Sequence, residues 1–123
     1  MLFDISKGLP FDDNSINIII ADLSLHYFDK ATTKAIFEDI YRVLKKDGYL
    51  IGRVNSTNDI NHIPENSELI EENFYYNGTL YKKFFEEKDF KELFTNFKVC
   101  NLETKTMTRY EKAKSLWEFC IKK

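Results

Sequence analysis

The run of residues 16–21, Ile-Asn-Ile-Ile-Ile-Ala, constrains the fold of this chain more than any other feature. It is rich in β-branched side chains, follows the turn signal Asn14-Ser15, and is too short for most helices. Nearly continuous apolar runs of this length are typical of strands that are buried on both faces of a parallel sheet. We therefore predict a strand over residues 16–21 in an α/β fold.

A helix and a second strand are predicted directly after this run. Asp29 is suited to cap the helix, the two lysines at 45–46 suit its last turn, and Gly48 is placed as its C-terminal glycine. Residues 49–55 read as a strand, so residues 16–55 predict a right-handed strand–helix–strand unit. The apolar residues that recur at helical spacing are Ile36, Phe37, Ile40, Val43 and Leu44.

The middle of the chain predicts smaller elements. Residues 56–64 are polar and loop-like, and residues 65–73 suggest a short acidic helix. Residues 74–81 predict a hairpin that turns at Asn77-Gly78, because this dipeptide readily supplies the positive φ angles of a tight turn.

A helix and two strands are predicted to end the chain. The helix begins near Glu86, and the strands cover residues 98–107 and 114–121 with a polar turn at residues 109–112. Such a turn implies an antiparallel pair. The residues that mark one face of the helix are Phe90, Leu93, Phe94 and Phe97.

Composition narrows the classes of function. A chain of 123 residues with 43% hydrophobic residues can bury one core, so we expect a single domain over residues 1–123. The charges of the 18 basic and 20 acidic residues nearly cancel, so the chain lacks the net positive charge expected of a protein that binds nucleic acid. No apolar run reaches the roughly 20 residues that a bilayer requires. We expect a cytoplasmic protein with a small-molecule partner and no membrane partner.

Two cysteines, Cys100 and Cys120, are too few for a disulfide scaffold and lack the spacing of metal ligands. We expect small buried thiols and no metal site. If the last two strands form a hairpin, the two thiols lie almost opposite each other. A disulfide is then conceivable after oxidation in vitro, although a reducing cytosol does not favour one.

Three stretches follow one another in an informative order. Residues 4–11 contain Asp-Ile and then Leu-Pro-Phe, residues 18–28 form a strand and its loop, and residues 41–51 lead through Gly48 into a strand. With the helix and strand pair at the end, this order resembles the class I S-adenosylmethionine-dependent methyltransferases. The resemblance implies a partial Rossmann-like sheet, mostly parallel with an antiparallel C-terminal strand pair, with flanking helices and a small hairpin. It also implies methyl transfer to a small acceptor.

The resemblance also implies a set of cofactor-binding residues. Asp4 matches the acidic residue that hydrogen-bonds the adenine amino group, a task that suits a carboxylate because the amine offers donors. Ile5 would pack on the adenine ring. Ala21, Asp22 and Leu23 match the loop that passes the methionine portion of S-adenosylmethionine, outside the carboxyl end of a parallel strand. Without the resemblance, Asp4 reads as a solvated terminal residue.

Substrate-binding residues are expected at the same strand ends. His26 and Tyr27 follow the first strand, while Arg53 and Asn55 end the second. The alternatives are that His26 serves packing or capping and that Arg53 and Asn55 form a buried polar pair. We predict no catalytic residue, because positioning and desolvation can carry transfer from a reactive sulfonium. An aromatic cluster is read as core rather than as a pocket wall: Tyr75, Tyr76, Tyr81, Phe84 and Phe85.

The sequence also departs from the family pattern. Its four glycines are scattered, so the Gly-rich turn that holds the methionine end of the cofactor has no candidate. We interpret the chain as the C-terminal part of such an enzyme. The alternative is a non-catalytic remnant or interaction module that keeps the fold without the cofactor. An apolar strand at residues 16–21 without its usual neighbour would have an open edge, which predicts a homo-oligomer or a partner chain.

Overall fold

The computed structural model describes residues 5–59, 65–107 and 114–123. Within them the chain begins with a 3₁₀ helix, Ile5–Lys7, and continues through seven strands and two α-helices. In order these are β1 Ile16–Asp22, α1 Lys30–Val43, β2 Leu44–Asn55, β3 Glu68–Glu71, β4 Phe74–Tyr76, β5 Tyr81–Lys83, α2 Glu87–Leu93, β6 Lys98–Met107 and β7 Lys114–Lys122.

The main sheet has the strand order β1-β2-β7-β6. β1 and β2 pair in parallel, as the strand–helix–strand unit requires. β7 is antiparallel to both β2 and β6, so β1, β2 and β6 all run in one direction. The predicted α/β fold, with a mostly parallel sheet that ends in an antiparallel strand pair, is confirmed.

The core lies on one face of this sheet, which we call the covered face because both described helices pack there. Phe119 of β7 is fully buried, and its ring centroid lies 5.2 Å from that of Phe94 and 6.3 Å from that of Phe37. The side chains that α1 contributes are buried together with the alternating residues of β2: Ile36, Phe37, Ile40, Val43, Leu50 and Val54.

The end of α1 differs from the prediction. The helix ends at Val43, and Leu44 is already extended (φ −67°, ψ 137°) and pairs with Ile16. Lys45, Lys46 and Gly48 therefore lie in β2 rather than in or after the last helical turn. Gly48 is needed for a different reason: an added Cβ would lie 2.9 Å from both the Asn17 and the Lys45 carbonyl oxygens. This glycine permits close backbone approach and does not cap the helix.

A second, three-stranded sheet has the order β3-β4-β5. The predicted hairpin is confirmed, but its loop covers residues 77–80, because the Asn77 Oδ1 accepts hydrogen bonds from the amides of Thr79 and Leu80. The predicted acidic helix at residues 65–73 is wrong. Asn66 and Asn73 have positive φ angles of 59° and 58°, which interrupt a helix, and β3 gains its hydrogen bonds by pairing with β4 instead.

The strands at the end of the chain match the prediction closely, as β6 and β7 form the expected antiparallel pair. The predicted polar turn at residues 109–112, the later part of the loop at residues 60–64 and the cofactor residue Asp4 lie outside the described residues. Neither described helix has the length and apolar composition that crossing a membrane requires.

Candidate functional site

The carboxyl ends of β1 and β2 lie side by side. Ala21 pairs with Gly52 and Asp22 pairs with Arg53. Ala21 is buried, and a Cβ added at Gly52 would lie 3.0 Å from the Ala21 carbonyl oxygen and 2.7 Å from Cζ of Phe119. The two strand ends therefore approach closely only because position 52 is glycine.

An ion pair joins these two strand ends. The Arg53 guanidinium donates to both carboxylate oxygens of Asp22, with Nε 2.5 Å from Oδ1 and Nη2 2.7 Å from Oδ2. The Leu23 amide donates to the Arg53 carbonyl oxygen at 3.0 Å, and Leu23 has a φ of 55°. A branched residue seldom adopts this left-handed conformation, and such outliers cluster at functional sites. Nothing in the local sequence indicates this conformation.

His26 is buried directly behind this edge. Its Nδ1 accepts a hydrogen bond from the Asn55 amide at 3.3 Å, and its carbonyl oxygen accepts one from the Lys83 amide at 2.8 Å. Burial, with the nearby charges of Lys114 and Lys82, lowers the pKa of His26 to about 4. The imidazole is therefore neutral near neutral pH, and since Nδ1 is an acceptor, Nε2 carries the proton and is a donor.

Asn55 has an unusual side chain for a buried strand residue. It is almost fully buried, yet neither its Nδ2 nor its Oδ1 has a hydrogen-bond partner among the described residues. Leaving such a group unpaired costs about 1–3 kcal/mol, so native structures seldom keep one without a reason. The amide is able to donate and accept at the same edge of the sheet where Asp22 and Arg53 meet.

The remaining predicted residues are placed less centrally. Tyr27 is 40% exposed, and its ring centroid lies 4.6 Å from that of His26 in an edge-on arrangement. Ile5 lies in the 3₁₀ helix and packs, half-buried, against the core. The structure therefore gathers six of the predicted residues at one edge of the sheet, with Tyr27 beside them: Ala21, Asp22, Leu23, His26, Arg53 and Asn55.

Residues 83–85 also hold this edge together, and sequence reasoning did not give them that role. The Lys83 amide bonds to His26, and the Phe85 amide donates to the Asn55 carbonyl oxygen at 2.8 Å. The Phe85 carbonyl oxygen accepts from the Trp117 indole at 2.8 Å. Phe84 and Phe85 are buried, in accord with their assignment to the core. The same assignment is wrong for Tyr81, which is 44% exposed, and Tyr75 and Tyr76 are half-buried. Each of these hydrogen bonds joins residues far apart in sequence, so local patterns carry no signal for them.

Two clefts lie away from this edge of the sheet. One, of about 240 Å³, is lined by α1, α2 and residues 95–97. The other, of about 280 Å³, is lined by residues of α2 and β6 and by Phe94. Neither cleft is lined by the predicted site residues.

Comparison with known proteins agrees with this arrangement. Residues 1–52 match the family model described as a methyltransferase domain. A solved S-adenosylmethionine-dependent methyltransferase from Methanosarcina mazei superposes with a TM-score of 0.80 over 98% of this chain, at 20% identity. This chain has the class I methyltransferase fold. A comparison with curated protein sequences found no match.

Other solved structures extend this methyltransferase comparison. One is 1,6-didemethyltoxoflavin-N1-methyltransferase from Burkholderia thailandensis, with a TM-score of 0.67 over 97% of this chain at 14% identity. Another, an S-adenosylmethionine-dependent methyltransferase from Clostridium acetobutylicum, has a TM-score of 0.66 over 99% of this chain at 17% identity. The chain spans 65%, 48% and 63% of the Methanosarcina, Burkholderia and Clostridium chains, which is less than two thirds of each.

Proposed function

We propose that this chain is part of an S-adenosylmethionine-dependent methyltransferase that acts on a small acceptor. Three features meet where two parallel strands end, and together they carry the proposal. They are the ion pair between Asp22 and Arg53, the neutral buried His26 and the unpaired amide of Asn55. Ligands of open α/β sheets bind outside the carboxyl ends of the strands, which is where these groups lie. The match to a methyltransferase family model supports the reaction class.

The cofactor side of this proposed site consists of Ala21, Asp22 and Leu23. When bound, S-adenosylmethionine supplies a methyl group on a positively charged sulfonium. The Asp22 side chain is half-exposed at the strand end, so its carboxylate is available to a cation as well as to Arg53. Ala21 is buried in the hydrophobic core, so the contact we assign to it is one through its backbone. These residues fit one wall of a cofactor site.

The acceptor side consists of His26, Tyr27, Arg53 and Asn55. Neutral His26 offers a donor at Nε2, and Asn55 offers one donor group and one acceptor group without a partner. An acceptor molecule with a carbonyl or ring nitrogen beside an N–H or O–H group would satisfy both residues. The Burkholderia structure holds 1,6-didemethyltoxoflavin together with S-adenosylhomocysteine, which supports a small acceptor in this fold. Their roles are to orient the acceptor and exclude water.

Isothermal titration with S-adenosylhomocysteine tests the proposal. Because the Gly-rich turn that holds the methionine end has no candidate in this chain, a Kd near or below ~10 μM, about −7 kcal/mol, would mean that an oligomer or a partner chain completes the site. Asp22→Asn should weaken binding several-fold, because it removes the carboxylate at the strand end. Asp47→Asn is the matched control, since Asp47 lies at the opposite end of β2 and Asn tolerates its positive φ of 68°. It should bind as the parent does.

No heat up to millimolar ligand would overturn cofactor binding by this chain. It would favour the alternative function, an interaction module that keeps the methyltransferase fold without the cofactor. Equal losses in Asp22→Asn and Asp47→Asn would instead contradict the placement of the cofactor at the ends of β1 and β2.

We further propose that β1 pairs with another polypeptide, in the simplest case a second copy of the chain. Within the described sheet β1 is an outer strand whose one neighbour is β2. It presents Ile18, 56% exposed, and Ile20, 73% exposed, to solvent. An open strand edge flanked by exposed apolar side chains invites strand pairing.

Light scattering over a range of concentrations tests this pairing. We expect a mass above that of the 14.6 kDa monomer, and Ile20→Lys should reduce it. Val99→Lys is the matched control, because Val99 is also half-exposed but lies on β6, the other outer strand. A monomer at every concentration would exclude the second copy.

A further inference from the structure

The face of the main sheet opposite the helices, which we call the open face, carries both cysteines. Ile20, Ile51 and Cys120 follow one another across β1, β2 and β7 because each is paired in register with the next. Ile20 is 73% exposed and Ile51 is 39% exposed, so solvent reaches this row. The expectation of two buried thiols is wrong: Cys120 is half-buried and Cys100 is exposed, and both are free thiols.

A β-bulge in β6 brings Cys100 toward Cys120. The register shifts between Val99, which pairs with Ile121, and Asn101, which pairs with Cys120. Cys100 is therefore the extra residue, and a bulge places two residues of one strand opposite one residue of its partner. Cys100 and Asn101 both oppose Cys120. The Cys100 thiol itself contacts the Lys98 carbonyl oxygen at 4.0 Å. Burial, together with the neighbouring Cys100, raises the pKa of Cys120.

We propose that Cys100 and Cys120 are a redox-sensitive dithiol site that peroxide oxidises to a cross-strand disulfide. Cys100 directly precedes Asn101, the residue paired with Cys120, and paired residues of an antiparallel ladder have the Cα separation that a disulfide needs. The exposed Cys100 thiolate attacks hydrogen peroxide, forming a sulfenic acid as the O–O bond breaks, and the departing hydroxide takes up a proton to leave as water. The Cys120 sulfur then attacks this sulfur, forming the S–S bond and releasing a second water. Two thiols are oxidised and one peroxide is reduced to two waters.

The dithiol site is separate from the proposed methyl-transfer site. Asn55 and Arg53 lie four and two residues beyond Ile51 along β2, so the dithiol is one or two rows of the sheet away from the strand ends. Its partners in the row, Ile51 and Ile20, are apolar and carry no competing nucleophile. Oxidation at this position would fasten β6 to β7 on the open face.

Peptide mapping after treatment with hydrogen peroxide tests the proposal. The intact mass should fall by two hydrogen atoms, and trypsin should release residues 99–105 linked to residues 115–122, a link that dithiothreitol removes. In Cys120→Ser, Cys100 should progress to sulfinic acid because it has no thiol to resolve it. In Cys100→Ser, Cys120 should react much more slowly.

A displaced cysteine provides the matched control. Glu103 lies on β6 opposite Glu118, diagonal to Cys120 and exposed like Cys100. The double variant Cys100→Ser/Glu103→Cys keeps two thiols but should form at least tenfold less of the linked product. Equal linkage in this variant, independent oxidation of the two thiols in the parent, or disulfides only between chains would each overturn the proposal.

Discussion

The two faces of the main sheet differ in what covers them. On the covered face, α1 and α2 bury Leu50, Val54 and Phe119 completely. On the open face, Ile18, Ile20 and Ile51 remain exposed. Asn55 and Leu116, which pair with each other where β2 ends, are buried. The same strands thus alternate between a closed hydrophobic core and a surface that has no helix among the described residues.

The two faces also differ in what their side chains contribute to the protein. Side chains on the covered face stabilise the fold by burial, so their truncation costs free energy directly. The open face carries exposed isoleucines, an unpaired buried amide and two neighbouring thiols. We expect mutations on the two faces to affect different measurements.

Phe119→Ala should have the largest effect on stability. Phe119 is fully buried among Phe37, Phe90 and Phe94, so truncation removes burial and leaves a cavity. We expect a loss of about 3–5 kcal/mol in the free energy of unfolding. Denaturant titration measures it, with Ile51→Ala on the open face as the control. Equal losses in the two variants would contradict the distinction between the faces.

Gly52→Ala should have the second largest effect on stability, because Gly52 lies on the covered face between Phe119 and the Ala21 carbonyl oxygen. A single methyl group would force Phe119 or β1 to shift, at a cost of about 1–3 kcal/mol. Thermal unfolding measures the loss. Since the same shift separates β1 from β2, binding of S-adenosylhomocysteine should weaken as well; unchanged stability would show that the contact is not restrictive.

Acidification should destabilise the fold through His26. Its pKa is lowered from 6.5 to about 4 in the folded chain. The unfolded chain therefore takes up a proton first, and the stabilisation that is fully present above pH 6.5 is lost as the pH falls toward 4. The linkage predicts a loss of about 2 kcal/mol between about pH 7 and pH 5. His26→Asn should flatten this dependence in denaturant titrations; an unchanged slope would exclude His26 as its source.

Asn55→Leu should raise stability while it impairs the proposed function. Replacing an unpaired buried amide with an apolar side chain of similar volume removes a desolvation cost, so we expect a gain of about 1 kcal/mol. Binding of S-adenosylhomocysteine should persist, because Asn55 is assigned to the acceptor. Denaturant titration and isothermal titration together check this, and a loss of stability would mean that the amide has a structural partner.

Ile20→Lys should have the smallest effect on the fold itself. Ile20 is 73% exposed, and a substitution at such a position changes the free energy of unfolding by less than about 0.5 kcal/mol. The measurement belongs at concentrations where light scattering gives the monomer mass, so that strand pairing does not contribute. A large loss there would show that the open face is covered within the chain.

Much of the fold was predictable because local patterns agreed with it. The β-branched run at 16–21, the 3.6-residue spacing of Ile36, Phe37 and Ile40, and the antiparallel pair at the end each correspond to observed elements. The expected burial of the first strand on both faces is wrong, because Ile18 and Ile20 are 56% and 73% exposed. The predictions failed where pairing overrode local preference. Leu44 leaves the helix to pair with Ile16, and the acidic residues 68–71 form a strand beside β4.

The candidate site was predictable only as a set of residues. Sequence order and the family resemblance placed Asp22, His26, Arg53 and Asn55 at strand ends, and the register of β1 and β2 then brought them together. The ion pair between Asp22 and Arg53, the left-handed Leu23 and the contacts of residues 83–85 depend on strands and loops meeting from distant positions. A local pattern contains no information on such meetings.

The sequence by itself determined the α/β class and the order of the main elements, because these follow from the spacing of apolar residues and the placement of turn residues. Its ordered motifs also carry the resemblance to a methyltransferase family. The tertiary structure alone decided that His26 is neutral, that the Asn55 amide is unpaired and that a bulge sets Cys100 against Cys120. Burial, charge and register are properties of what surrounds a residue, and those surroundings exist only after the chain has folded.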